Sequence, residues 1–122
     1  MKQIVLLLLI LFFGSCAKQE PVDSPLAEQA LNLASMKCQN GGNLEWLRKI
    51  IELCEVDVRF KGSIYAIQYS SGVVFLHQPW ISSCYACNLY SCEGDLVSLS
   101  EGEKSEIIAG ASEQNLIYSS TQ

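Results

Sequence analysis

Between residues 44 and 77 the apolar side chains change their spacing, and that change constrains the fold more than any other feature of the chain. In LEWLRKIIELC, Leu44, Leu47, Ile51 and Cys54 recur every three or four positions with Ile50 beside them. That is one stripe of an amphipathic helix, and it predicts a helix over 44–55. Asn43 can cap it, Glu45 with Lys49 forms an i,i+4 pair of the favourable order, and Arg48 with Glu52 a reversed one. Trp46 reads as a core or edge-of-core anchor. The chain then turns to β-branched and aromatic residues, IYAIQYS at 64–70 and VVFLH at 73–77, with Ser71-Gly72 as a turn and Pro79 as a stop. If Ser71-Gly72 is a two-residue loop, Ile67 faces Leu76 and Tyr69 faces Val74. Those four would share the face laid on the helix, and His77 would pair with Ala66 on the other face as a half-exposed strand residue.

Weaker signals complete the layout. Ser24-Pro25 has the form of an N-cap followed by Pro at the first helical position. Leu26, Ala30, Leu33 and Ala34 then recur at helical spacing. They predict a helix over 25–36, the alternative being a continuation of a polar tether. NLYSC (88–92) and LVSL (96–99) flank Glu93-Gly94-Asp95 as a second hairpin. A short helix over 103–109 and a strand over 115–118 follow. The sum is α+β: one or two helices packed on one face of a small antiparallel sheet of about four strands.

The N-terminus bounds the location. MKQIVLLLLILFFGSC has Lys2, then ten apolar residues from Ile4 to Phe13, then small Gly14 and Ser15 before Cys16. This is a secretory signal in plan. Ten residues make a helix of about 15 Å, roughly half a bilayer core, so the run is not a lasting membrane span. Phe13-Gly14-Ser15-Cys16 resembles the lipobox of bacterial lipoproteins, with Phe13 in place of the usual aliphatic residue. The resemblance implies a diacylglycerol on the Cys16 sulfur and membrane attachment. Ala17, which is not aspartate, implies outer-membrane sorting. An ordinary signal-peptidase site is the competing reading. The organisation expected is signal 1–15, lipidated tether 16–24 and a single domain 25–122 with its core over 43–99.

Removing residues 1–15 takes away one base, Lys2, and leaves seven Lys and Arg against thirteen Asp and Glu, a net charge of −6. No basic cluster exists, so nucleic acid and anionic headgroups are poor partners. A protein, peptide or glycan partner remains open. With His77 as the single histidine, no two-histidine site exists. No nucleophile elbow or paired-carboxylate constellation stands out, so neither an enzyme nor a cofactor is expected.

Five cysteines remain beside Cys16: Cys38, Cys54, Cys84, Cys87 and Cys92. An exported chain meets an oxidising compartment, so all five are disulfide candidates, with one left over. Bridged Cα atoms sit about 4.4–6.8 Å apart, whereas Cys84 and Cys87 in a strand would be about 10 Å apart, so a local bridge needs a turn. The favoured bridge runs from Cys54, at the helix end, to the 84–92 segment. Two sharper readings centre on Cys84, Cys87 and Cys92. A redox pair usually sits at a helix N-terminus, yet Cys84-Tyr85-Ala86-Cys87 runs into strand-like Asn88-Leu89-Tyr90. A metal site would need a fourth ligand beside the three thiolates, from His77, Cys38 or Cys54; no metal is expected.

The order of LEWLRKIIE, KGSIYAIQYSSGVVFLH and CNLYSCEGDLV behind a lipobox resembles a class of small Bacteroidetes-type lipoproteins over residues 43–99. Those pair a W-L-x-x-I-I helix with a short cysteine-containing sheet. The resemblance implies a lipid-anchored envelope protein and attaches no activity to any residue beyond Cys16.

Overall fold

A computed structural model of the protein describes residues 25–39, 43–70, 72–81, 84 and 86–120. The signal segment, Cys16, the tether and the Ser24 cap lie outside the described residues. Among the described residues, three α-helices accompany a four-stranded sheet in which every neighbouring pair is antiparallel. The fold is α+β, as the change of period predicts. Among the described residues no helix is long and apolar enough to cross a membrane.

Helix α1 spans Pro25–Cys38 and helix α2 spans Glu45–Val56. In α2 the predicted stripe is the buried one: Leu47, Ile51 and Cys54 face the core. The Asn43 carboxamide oxygen accepts the Glu45 amide at 3.0 Å, which satisfies one of the free donors of the first turn. Helix α1 keeps Ala30 and Ala34 of the expected stripe in the core but not its two leucines. Ala27, Ala30, Leu31, Ala34 and Cys38 face inward, while Leu26 and Leu33 remain 43% and 37% exposed. The small alanines let the helix backbone come close to its neighbours, so packing selects the face of Ala27, Ala30, Leu31 and Ala34 over that of Leu26 and Leu33. Arg48 links the two helices through Glu28 at 3.4 Å.

Strands β1 (Gly62–Tyr69) and β2 (Gly72–Pro79) form the central hairpin. Their register differs from the expected one: Tyr69 pairs with Gly72, Ile67 with Val74 and Ile64 with His77. The loop is therefore residues 70 and 71, and Ser70 has a φ of 55°, the sign that tight hairpin turns require. The slide is by two residues. Because side chains alternate with period two, an even slide leaves each residue on its predicted face. The assignment of the faces is reversed, however. Ile64, Ala66 and Phe75 pack beneath α1 and α2, whereas Ile67, Val74 and Leu76 form a second cluster on the opposite face. His77 alternates onto the α1/α2 face and is 4% exposed, not half-exposed.

That second face carries helix α3, Glu101–Ala109, whose Ile107 is buried against it. A reciprocal cap starts α3: the Ser100 hydroxyl accepts the Glu103 amide and the Glu103 carboxylate accepts the Ser100 amide. Strand β3 is short, Leu89–Tyr90, and pairs with β2. The predicted hairpin at 88–99 exists as a tight return, with the Ser91 amide bonded to the Asp95 carbonyl and Val97 to Leu89, both at 2.9 Å. Gly94 makes it possible. Its φ is 89°, and an added Cβ would lie 2.5 Å from the Trp46 ring. Trp46 is the anchor predicted: its indole N–H donates to the Cys92 carbonyl at 3.0 Å and its ring meets Phe75 edge-on at 5.3 Å.

Strand β4, Leu116–Ser119, completes the sheet order β3-β2-β1-β4 after a single 3₁₀ turn at Glu113–Asn115. Ser120 then ties three elements together. Its amide donates to the Gly62 carbonyl, its hydroxyl accepts the Gly62 amide, and the same hydroxyl donates to the Cys54 carbonyl.

Candidate functional site

The fold sorts the five predicted cysteines into three chemical environments. Cys38, the last residue of α1, is joined to Cys92 just beyond β3, with Cα atoms 5.9 Å apart and a sequence separation of 54. The expected clip between a helix and the 84–92 segment exists, but it comes from Cys38 and not from Cys54. The reason is the turn of α2. Cys54 lies on the buried stripe of that helix over β1 and β2, whereas the end of α1 reaches the hairpin.

Cys54 is a free, fully buried thiol. Burial pushes its pKa up to about 11, against a smaller lowering by the Ser120 hydroxyl. Its sulfur lies 3.5 Å from His77 Nε2, which suggests a nucleophile and base. The hydrogen-bond pattern excludes that. Nε2 also lies 2.8 Å from the Phe60 carbonyl, which can only accept, so this nitrogen carries the proton and cannot receive the thiol's. Burial lowers the His77 pKa, the Phe60 bond opposing it to a smaller extent. Both groups are held neutral, and the pair is a packed polar contact in the core.

Cys84 and Cys87 form the second bridge, with Cα atoms 5.6 Å apart. Both residues are exposed, and the chain turns at Ala86 and Cys87 before entering β3. The turn that a local bridge requires is thus present, and the segment leads into a strand and not a helix. Ala86 is buried with Leu76 and Leu89 and seats the turn on the α3 face. The three thiols of the sequence cluster are therefore divided between two bridges. Among the described residues, no three His, Cys, Asp or Glu side chains are grouped as a metal site would need.

Beside the cleft that borders Cys38 and Cys92, two others lie against Cys87 and against His77. One, of about 260 Å³, is lined by Ala86, Cys87, Leu96, Val97, Leu99 and Lys104. The other, of about 440 Å³, is walled by Arg59, Phe60, His77, Pro79, Ile81 and Tyr90. The Phe60 and His77 rings stack there, nearly parallel at 6.1 Å. Arg59 is held by Asp57 at 2.8 Å, and that guanidinium keeps the Asp57 carboxyl below its ordinary pKa. Trp80 and Ile81 follow the strand and stand 44% and 66% exposed. Sequence reasoning missed this second cleft. Its one signal was an aromatic and an aliphatic residue placed directly after Pro79, where a polar turn is ordinary.

No family model, curated protein or solved structure matches the chain.

Proposed function

We propose that the protein is a bacterial envelope lipoprotein, held on the outer membrane by an acylated Cys16, with residues 25–122 serving as a non-enzymatic binding or structural module. The observation that carries the reading is the combination of MKQIVLLLLILFFGSC with two bridges among the remaining cysteines. Stable disulfides belong to exported chains, and a chain of this size gains from them. The mainly apolar cleft of Phe60, His77, Pro79, Ile81 and Tyr90, with Arg59 in its wall, suits one aromatic or aliphatic side chain of a peptide or the face of a sugar ring. The acidic surface argues against nucleic acid. Growth of a bacterial host on an alkyne fatty acid tests the anchor. The wild-type chain should take up label and partition with membranes, and Cys16→Ser should do neither. Equal labelling of the two would overturn the reading.

A second reading, a thiol–disulfide protein acting through Cys84 and Cys87, is favoured by one observation. Of the two bridges, this is the one with both cysteines exposed. Exposed bridges are the labile ones.

A further inference from the structure

We propose that Cys84–Cys87 is an exchange site at which Cys87 receives the thiolate of a cysteine-bearing polypeptide seated in the adjoining cleft; this rests on the second reading above. Cys87 lines the cleft formed with Leu96, Val97, Leu99 and Lys104, and Cys84 does not. A thiolate that displaces a disulfide attacks one sulfur and expels the other. A nucleophile arriving through the cleft reaches Cys87, which lines it, and Cys84, an exposed residue outside the lining, is the leaving thiolate.

The walls define what fits. Leu96 stands 73% exposed at the rim and Val97 and Leu99 continue the apolar lining, so a side chain beside the partner's cysteine can bury there. The Lys104 ammonium supplies positive charge to an incoming thiolate or a neighbouring carboxylate. Its ion partner Glu101 lies 3.9 Å away with its carboxylate almost fully exposed, a weak restraint. The substrate class is therefore a polypeptide dithiol with an apolar and an acidic residue next to its cysteines.

The balance is complete with that dithiol as reductant. Its first thiolate bonds to the Cys87 sulfur and breaks the Cys84–Cys87 bond, and Cys84 takes a proton from water. The partner's second thiol, as thiolate, then attacks the partner sulfur of the mixed disulfide and releases Cys87, which is protonated in turn. Two electrons pass from partner to bridge, leaving a partner disulfide and two thiols on this chain. The burial of Ala86 and Leu89 and the separate Cys38–Cys92 bridge, with Cys38 buried, give the fold anchors that do not depend on this bond.

The full chain, purified in detergent without reductant, is exposed to two synthetic dithiol peptides. One carries Leu and Asp beside its cysteines, the other Ser and Lys. Samples are quenched in acid, alkylated and mapped by mass spectrometry. Cys84–Cys87 should open before Cys38–Cys92, the mixed disulfide should sit on Cys87, and the Leu/Asp peptide should react faster. The substitution Lys104→Glu, at a half-buried side chain, should slow that peptide by about three- to ten-fold, the effect of one charge near a reacting anion, with the far-ultraviolet circular dichroism unchanged. If the two bridges open at one rate, the second reading itself fails. If Cys84–Cys87 opens first but the adduct forms on Cys84, or peptide and variant make no difference, the reading stands and the assignment to Cys87 and its cleft is overturned.

Discussion

The two faces of the sheet are built to different standards. The α1/α2 face holds the aromatic cluster of Trp46, Phe75 and Tyr90, the Cys38–Cys92 bridge, the Ser120 junction and the sealed Cys54 and His77. The opposite face is covered by a nine-residue helix with one buried side chain, Ile107, and by a turn whose disulfide faces solvent. The aromatic and buried polar contacts are concentrated on the first face, and the exposed bridge lies on the second. A small domain can carry an openable bridge when a separate one holds the frame.

The largest test of that contrast is Phe75→Ala. It empties the centre of the dense face, where Phe75 is fully buried against Trp46, and should cost about 3–5 kcal/mol in denaturant unfolding. A loss near 1 kcal/mol would mean that the aromatic cluster is not the principal core. The two bridges come next. The chain-entropy relation gives about 4 kcal/mol for closing the 54-residue separation of Cys38 and Cys92, and about 2 for the three-residue separation of Cys84 and Cys87. Urea titration of Cys38→Ser/Cys92→Ser beside Cys84→Ser/Cys87→Ser reads the difference directly. Equal losses would erase the distinction. Ser100→Ala removes one side of the α3 cap and should cost about 1 kcal/mol. Its effect on hydrogen exchange should stay within α3 and leave the amides of α2 protected.

Titration probes the sealed pair most gently. The folded Cys54 pKa lies above its unfolded value, so its stabilising contribution is complete below the unfolded pKa and is lost as pH rises towards about 11. The folded His77 pKa lies below its unfolded value, so its contribution is complete above the unfolded pKa and is lost as pH falls towards the folded one. Unfolding free energy should therefore decline on the alkaline side in the wild type and less in Cys54→Ala. A slope unchanged by that substitution would show that Cys54 is not the titrating group.

Much of this architecture is legible from the amino-acid pattern, and the misses have identifiable causes. Helix α2 is readable because Leu47, Ile51 and Cys54 keep one period and its far side is charged. The hairpin is readable, but its faces are not: Ile64, Ala66 and Phe75 are as apolar as Ile67, Val74 and Leu76, so alternation cannot say which set meets which helices. The turn was misplaced because Gly72 looks like the loop glycine, whereas Ser70 adopts the positive φ and Gly72 opens β2. The cap of α3 was present in Ser100-Glu101-Gly102-Glu103 and would have extended the predicted helix by two residues. The bridge partners depend on how two helices cross a sheet. No local spacing encodes that, so Cys38 could not be preferred over Cys54.

We propose an exported, lipid-anchored chain, and its structure holds two closed bridges and one buried free thiol. Intact mass spectrometry of the native protein, with alkylation before denaturation, after denaturation and after reduction, tests it most directly. The account predicts a mature chain beginning at an acylated Cys16. No thiol should be labelled in the native state, Cys54 alone once the chain is denatured, and all five cysteines after reduction. Five reactive thiols before reduction, or a mature chain without acyl mass, would contradict it.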